Sequence, residues 1–114
     1  MADCIFCQIV EGKLPSKKVY EDEYVYAFHD ISPAAPTHIL VIPKKHIPTI
    51  MDLEEEDQML AGKVMAAIQK IAKEYHLDEK GFRIVNNVGK EGGQTVYHIH
   101  FHLLGGRTLT WPPG

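Results

Sequence analysis

The stretch "TVYHIHFHLLGG", Thr95 to Gly106, sets three histidines at every second position. On an extended chain, residues two apart share a face. His98, His100 and His102 therefore form one imidazole row, and Tyr97, Ile99, Phe101 and Leu103 form an apolar row behind it. Such a segment reads as a strand with one face for a core and one for chemistry, and the fold has to supply both surroundings.

The other segments supply partners for that strand. Val19 to Glu21 and Tyr24 to His29 are rich in aromatic and β-branched residues, with the polar "EDE" between them, which predicts a hairpin. "HILVIP", His38 to Pro43, is a short apolar run bounded by prolines and reads as a buried strand. The period then changes. Leu60, Val64, Ile68, Ile71 and Tyr75 recur at three- and four-residue steps and predict one long helix with a single buried stripe. Asp52 is placed to cap that helix, with Glu55 three residues on and Glu54 to Asp57 at the positive end of its dipole. Lys70, Lys73 and His76 load the other end, and Gly81 follows as a stop. "FRIVNNV" predicts a fourth strand, "GKEGGQ" a glycine-rich turn, and the histidine segment a fifth strand. Strands in succession with one long helix inserted indicate a single α+β domain over residues 1–114, built on an antiparallel sheet.

Composition narrows the function. A chain of 114 residues with 45% apolar and 24% charged residues has enough apolar content for one core and is not of the disordered class. The formal net charge is −3, and the pairs Lys17-Lys18 and Lys44-Lys45 are isolated, so a polymeric nucleic-acid partner is not expected, whereas a single nucleotide is compatible. "MADCIFCQIV" lacks a positive segment followed by a long apolar run, and no stretch has the length of a membrane helix. The expectation is a soluble, unprocessed, cytoplasmic protein with no membrane partner. The two cysteines, Cys4 and Cys7, are spaced as a metal or redox pair rather than a structural disulfide in a reducing compartment.

The histidine row has three readings. Lone histidines are commonly solvent-facing or hydrogen-bonded, and His29 and His76 are taken that way. Three in strict alternation could instead ligate zinc in an open catalytic site. The third reading is covalent: a neutral imidazole nitrogen of His100 attacks phosphorus, and its histidine neighbours set its tautomer, bind phosphate oxygens or move a proton. The residues around the row favour this last reading. Gly92-Gly93-Gln94-Thr95 allows close backbone approach and supplies polar groups, and Asn87 adds an amide at the end of the preceding strand.

"HIHFHLL" resembles the signature of the histidine triad superfamily, His-x-His-x-His followed by two apolar residues, at every position. The likeness extends through "YAFHDISPAAPTHILVIPKKHI" and "GGQTVYHIHFHLLGGR" to "WPPG", an ending similar to that of the Hint branch, the purine nucleoside phosphoramidases. It covers nearly the whole chain. The resemblance implies a HIT-like α+β fold: an antiparallel sheet of about five strands, one long helix and a short N-terminal helix. It also implies that His100 attacks the α-phosphorus of an adenosine or guanosine 5′-phosphoramidate, expels the amine and forms a nucleotidyl-histidine. Water then releases AMP or GMP, with no catalytic metal. By the same likeness His102, Asn87, Gly93, Gln94 and Thr95 surround the phosphate, while Asp30 and Ile31 hold ribose and base. A carboxylate can accept both ribose hydroxyls, although Asp30 before Ser-Pro is equally a turn-capping residue. Ile5, Phe6 and Phe28 would line the base pocket or, equally, a core.

The cysteine pair departs from the animal members of the branch and resembles bacterial Hint-like proteins and galactose-1-phosphate uridylyltransferase. That likeness implies a structural zinc on Cys4, Cys7, His46 and His98, a closed Cys2His2 set, with His38 as the alternative third ligand and a redox pair as the rival reading. A homodimer joined across the long helix and the following strand is implied as well. Trp111 would then lie near the partner's site, or else anchor its own tail. Two further functions stay open: a dinucleoside polyphosphate hydrolase like the fragile-histidine-triad branch, which the short chain and "WPPG" ending disfavour, and a nucleotide-binding interaction protein with incidental hydrolysis.

Overall fold

The computed structural model describes residues 3–114. A short helix, α1 (Ile5–Val10), precedes the hairpin β1 (Lys18–Glu21) and β2 (Val25–His29), followed by β3 (Thr37–Pro43). Two 3-10 turns, Ile50–Asp52 and Glu55–Asp57, lead into the long helix α2 (Gln58–Glu74), and β4 (Arg83–Val85) and β5 (Phe101–Gly105) complete the order. All strand pairs are antiparallel, in the order β1-β2-β3-β5-β4. The fold is α+β, as the alternation of periods predicts. No helix among the described residues is long and apolar enough to cross a membrane.

The two faces of the sheet have different covers. Val25 and Ala27 of β2, Ile39 and Val41 of β3 and Leu103 of β5 meet Val64, Ala67, Ile68, Ile71 and Ala72 of α2. Residues of the opposite parity, Tyr26, Phe28, Leu40 and Ile42, cluster with Phe6 of α1. β3 therefore buries side chains on both faces, which is why it reads as an unbroken apolar run. The even-numbered positions of β3 and β5 outside the α1 cluster are His38, His102 and Leu104. Asp22 builds the hairpin turn by accepting the Tyr24 and Val25 N–H groups at 2.8 and 2.9 Å.

The structure differs from the sequence pattern at both ends of α2. Asp52 does not cap it. Asp52 closes a capping box with Thr49 on the first 3-10 turn, and extended Leu53 separates that turn from a second box between Glu54 and Asp57. Asp57 is buried and ion-paired with Lys45 at 2.7 Å, so the acidic run anchors the approach to the helix. At the other end Gly81 is not the stop. His76 takes the left-handed conformation (φ 59°), its N–H reaching the Lys73 carbonyl at 3.1 Å and the Leu77 N–H reaching Ala72 at 2.8 Å. This is the crossed hydrogen-bond pattern that glycine usually closes. Burial of Leu77 offsets the left-handed strain of His76.

The histidine segment is also shorter as a strand than its alternation predicts. Only His102 lies within β5, and His98 and His100 precede it. The β3–β5 ladder stops at the Val41–Phe101 pair although β3 runs on to Pro43, and the backbone before Phe101 bonds elsewhere. Ile99 N–H donates to the Ile47 carbonyl at 2.6 Å, and the Asn86 amide donates to the His100 carbonyl at 2.9 Å. "FRIVNNV" likewise pairs only over Arg83–Val85, which leaves both asparagine side chains available for the loop.

Candidate functional site

His98 and His100 are buried, and the His100 and His102 ring centroids lie 5.1 Å apart. The tautomer of each ring follows from partners that can act in only one sense. His100 Nδ1 lies 2.9 Å from the His98 carbonyl oxygen, which only accepts, so Nδ1 carries the hydrogen and Nε2 keeps the lone pair. His38 Nδ1 accepts from the Ala34 N–H at 3.0 Å. Its hydrogen is therefore on Nε2, which donates to His102 Nδ1 at 2.9 Å, leaving His102 with its hydrogen on Nε2. A ring with a free lone pair thus stands beside a ring with a free N–H.

Burial favours the neutral form of His38, His98 and His102. His98 and His102 are pushed down from 6.5 to about 4, first by burial. The neighbouring His100 and His38 add to the effect at His102, and Asp30 opposes it. His38 is lowered by burial too, again opposed by Asp30, whose Oδ2 lies 3.5 Å from His38 Nε2. The other carboxylate oxygen of Asp30 accepts the Ser32 N–H at 2.7 Å, so the turn-capping interaction is present. Asp30, Ile31 and His38 border an open cavity of about 490 Å³, in which Ile31 is 96% exposed.

The glycine-rich turn is held by amides. Gln94 accepts the Gly89 N–H at 3.0 Å and donates to the Pro48 and Val96 carbonyls at 2.8 and 3.1 Å, while Asn87 donates to the Gly92 carbonyl at 2.7 Å. Gly92 has no room for a side chain, because a Cβ would lie 2.3 Å from the Val88 oxygen, and Gly93 has φ +78°. Thr95 is exposed and borders a second cavity, of about 450 Å³, with Cys4, His46 and Tyr97. Of the three apolar residues considered for a base pocket, Phe6 and Phe28 are buried against each other and Ile5 is half exposed.

At the far end of the row, Cys4, Cys7, His46 and His98 bring their ligand atoms within 4.8 Å of one another, a group that could hold a metal ion. Cys4 Sγ and Cys7 Sγ lie 3.4 and 3.5 Å from His98 Nδ1, and Cys7 Sγ lies 3.4 Å from His46 Nδ1. His98 Nε2 donates to the Pro43 carbonyl at 2.8 Å, which leaves Nδ1 unprotonated toward the sulfurs. Asp30, His38 and His102 form a second group within the same limit, but there the His38–His102 hydrogen bond accounts for the spacing. His38 is therefore at the other end of the row from the cysteines, and no ligand group among the described residues contains all three histidines of the row.

The HIT domain family matches residues 11–109. The chain belongs to that family. As a HIT protein it is 49% identical over 112 residues to a HIT-like protein from Synechococcus elongatus, covering 98% of this chain and 97% of the relative. Its structure superposes with a TM-score of 0.96 on a HIT family hydrolase from Legionella pneumophila at 52% identity, covering 98% of this chain and all of that one (100%). It also superposes on a histidine triad nucleotide-binding protein from Candida albicans, with a TM-score of 0.83 and 33% identity, covering 96% of this chain and 83% of the other.

Two residues of this HIT site escape sequence reasoning as partners of the row. His38 reads there as a strand residue or spare ligand, and Asn86 only as part of the strand "FRIVNNV". His38 pairs with Leu104 across β3 and β5, so His102 is its diagonal neighbour on the same face, a relation visible only once the register is known. Trp111 is 78% exposed and does not anchor the tail; Arg83 does, donating to the Leu109 and Thr110 carbonyls, both at 3.0 Å.

The depressed His102 value fixes the sign of a pH dependence. The unfolded chain takes up a proton on this histidine as pH falls below 6.5, while the folded protein does not until about 4. Its contribution to stability is therefore full above 6.5 and is lost progressively toward 4. His102→Asn is expected to flatten the fall of the urea midpoint across that window, and equal slopes in wild type and variant contradict it.

Proposed function

We propose that this protein hydrolyses purine nucleoside 5′-phosphoramidates through a nucleotidyl intermediate on His100. The observation that carries the reading is the fixed tautomer of His100, whose Nδ1–H is held by the His98 carbonyl so that the Nε2 lone pair is available to attack phosphorus. In the first step the Nε2–P bond forms and the P–N bond breaks, and the amine leaves with one proton handed on by His102. In the second, water forms the O–P bond, the Nε2–P bond breaks, and the proton lost by water returns to the His38–His102 pair. The negative charge of bound substrate favours an added proton on that pair, against the burial that keeps it neutral.

Asp30 and Ile31 border a cavity and suit a ribose and base, with Asp30 Oδ2 also close to His38. Thr95 and the Asn87 amide, at the glycine turn with Gly93, suit phosphate oxygens. Gln94 ties the turn in place, since its oxygen accepts the Gly89 N–H and its nitrogen donates to the Val96 carbonyl and to the distant Pro48 carbonyl. The names of the Legionella hydrolase and the Candida nucleotide-binding protein support a nucleotide hydrolase.

The Cys4–Cys7–His46–His98 group fits a structural zinc. Zn–S bonds of about 2.3 Å and Zn–N bonds of about 2.0 Å place sulfur and nitrogen roughly 3.5 Å apart in a tetrahedron, close to the spacing of these donors. With all four positions filled by protein, such a zinc stabilises the fold and leaves the chemistry to the histidines.

AMP release from adenosine 5′-phosphoramidate tests the reading. His100→Ala is expected to lower it by roughly three orders of magnitude or more. Faster turnover of a diadenosine polyphosphate, or undiminished release by the variant, contradicts it. A homodimer joined across α2 and β4 is the assembly the resemblance implies, and the edge position of β4, with Phe82 and Ile84 exposed, supports it. Sedimentation should give a dimer that Ile84→Asp dissociates, and a monomeric wild type removes this part of the proposal.

A further inference from the structure

The metal-capable group and the attacking histidine meet in one residue. We propose that the Cys4–Cys7–His46–His98 centre, when loaded with metal, holds His100 in its attacking geometry, with Phe6 as a positioning residue that acts through the His100 ring. The inference rests on the nucleophilic reading of His100 and adds to it a control by metal occupancy.

His98 faces both sites at once. Its ring is held at both nitrogens, by the cysteine sulfurs at Nδ1 and by the Pro43 carbonyl at Nε2, while its own main-chain carbonyl accepts the His100 Nδ1–H. The peptide that fixes the nucleophile's tautomer therefore belongs to a residue whose side chain is a ligand. His98 and His100 lie outside the β5 ladder, where bonds from the Ile99 N–H to the Ile47 carbonyl and from the Asn86 amide to the His100 carbonyl hold the backbone. Ligation of His98 replaces the missing ladder with bonds of defined length and direction.

The second route runs through α1. Cys4 caps this helix, its Sγ accepting the Cys7 N–H at 3.3 Å, and Cys7 lies within it. A six-residue helix has no stability of its own, so its position depends on what ties it down. Between the two cysteines is Phe6, whose ring meets His100 edge-on at 5.1 Å and 86° and His98 at 5.9 Å. The aromatic wall behind the nucleophile is thus carried by the segment that the two sulfurs pin. Its other neighbour, Phe28 at 5.5 Å, lies on the rigid sheet.

Access to the centre is open on one side. Cys4 and His46 border the cavity of about 450 Å³ shared with Thr95 and Tyr97. A chelator can reach these two ligands without the sheet opening. Asp30 and Ile31 lie at the β2–β3 connection, away from this cavity. Loss of metal should therefore impair the chemical step and leave the ribose and base contacts at Asp30 and Ile31 in place.

The experiment uses full-length protein labelled with ¹⁵N in its histidines, zinc-loaded and then chelated, with ring-nitrogen shifts reporting the His100 tautomer. Turnover of adenosine 5′-phosphoramidate is followed on the same samples, and far-UV dichroism monitors folding. Loaded protein should show one His100 form, with hydrogen on Nδ1. Chelated, folded protein should show a mixture, with kcat lower by about tenfold or more, KM little changed, and both restored by added zinc. Phe6→Leu should keep its zinc, by metal analysis, yet lower kcat and disturb the His100 signals, whereas Phe6→Tyr, which keeps the aromatic edge, should retain both. An unchanged tautomer and kcat after the metal leaves overturns the proposal. If chelation unfolds the chain, the Phe6 variants decide, and a Phe6→Leu protein like wild type in both readouts overturns it. Absence of AMP release from loaded wild type sinks the phosphoramidase reading alone, because the ring-nitrogen signals still decide the coupling.

Discussion

The hydrogen bond from His100 Nδ1 to the His98 carbonyl, at 2.9 Å, is the interaction on which the site depends. An imidazole presents a lone pair at Nε2 only when its hydrogen is kept on Nδ1, and a main-chain carbonyl is a partner that cannot reverse its role. The neighbouring ring is set the opposite way, because the Ala34 N–H at His38 Nδ1 fixes a chain of donation that ends on His102 Nε2. Backbone groups, one donor and one acceptor, thus give two chemically identical side chains complementary functions.

The fold supplies what this arrangement needs. α2 covers the β2, β3 and β5 part of one face of the sheet, so that Leu103 and Ile99 anchor the histidine segment from behind. On the other face Phe6 of α1 packs against the His98 and His100 rings, while His38 and His102 pair with each other. Burial keeps His98 and His102 neutral in the free protein, first of all by desolvation. The row is divided between tasks: His98 turns to the cysteines, His102 turns to His38, and His100 lies between them.

Much of this was legible in the chain. The period-2 histidines identified one chemical face, the three- and four-residue steps of Leu60, Val64, Ile68 and Ile71 identified the helix, and Cys4, Cys7, His46 and His98 do come together. What stayed hidden depends on register and on backbone bonds. His38 meets His102 because β3 and β5 pair Leu40 with His102 and His38 with Leu104, an offset that no local pattern encodes. β5 starts later than alternation suggests, because alternation describes side chains and cannot show that the Ile99 N–H bonds to the Ile47 carbonyl instead of extending the ladder past Phe101. Asp52 was a sound capping residue for the wrong helix, since extended Leu53 breaks the path to α2.

The central claim is that hydrolysis proceeds by two displacements at phosphorus, the first by His100. The most direct measurement is the stereochemical course of hydrolysis of an adenosine 5′-phosphoramidate made chiral at phosphorus by isotopic or sulfur substitution. Two in-line displacements predict overall retention of configuration. Inversion would show that water attacks directly, and His100 would then be a base or a binding group rather than the nucleophile.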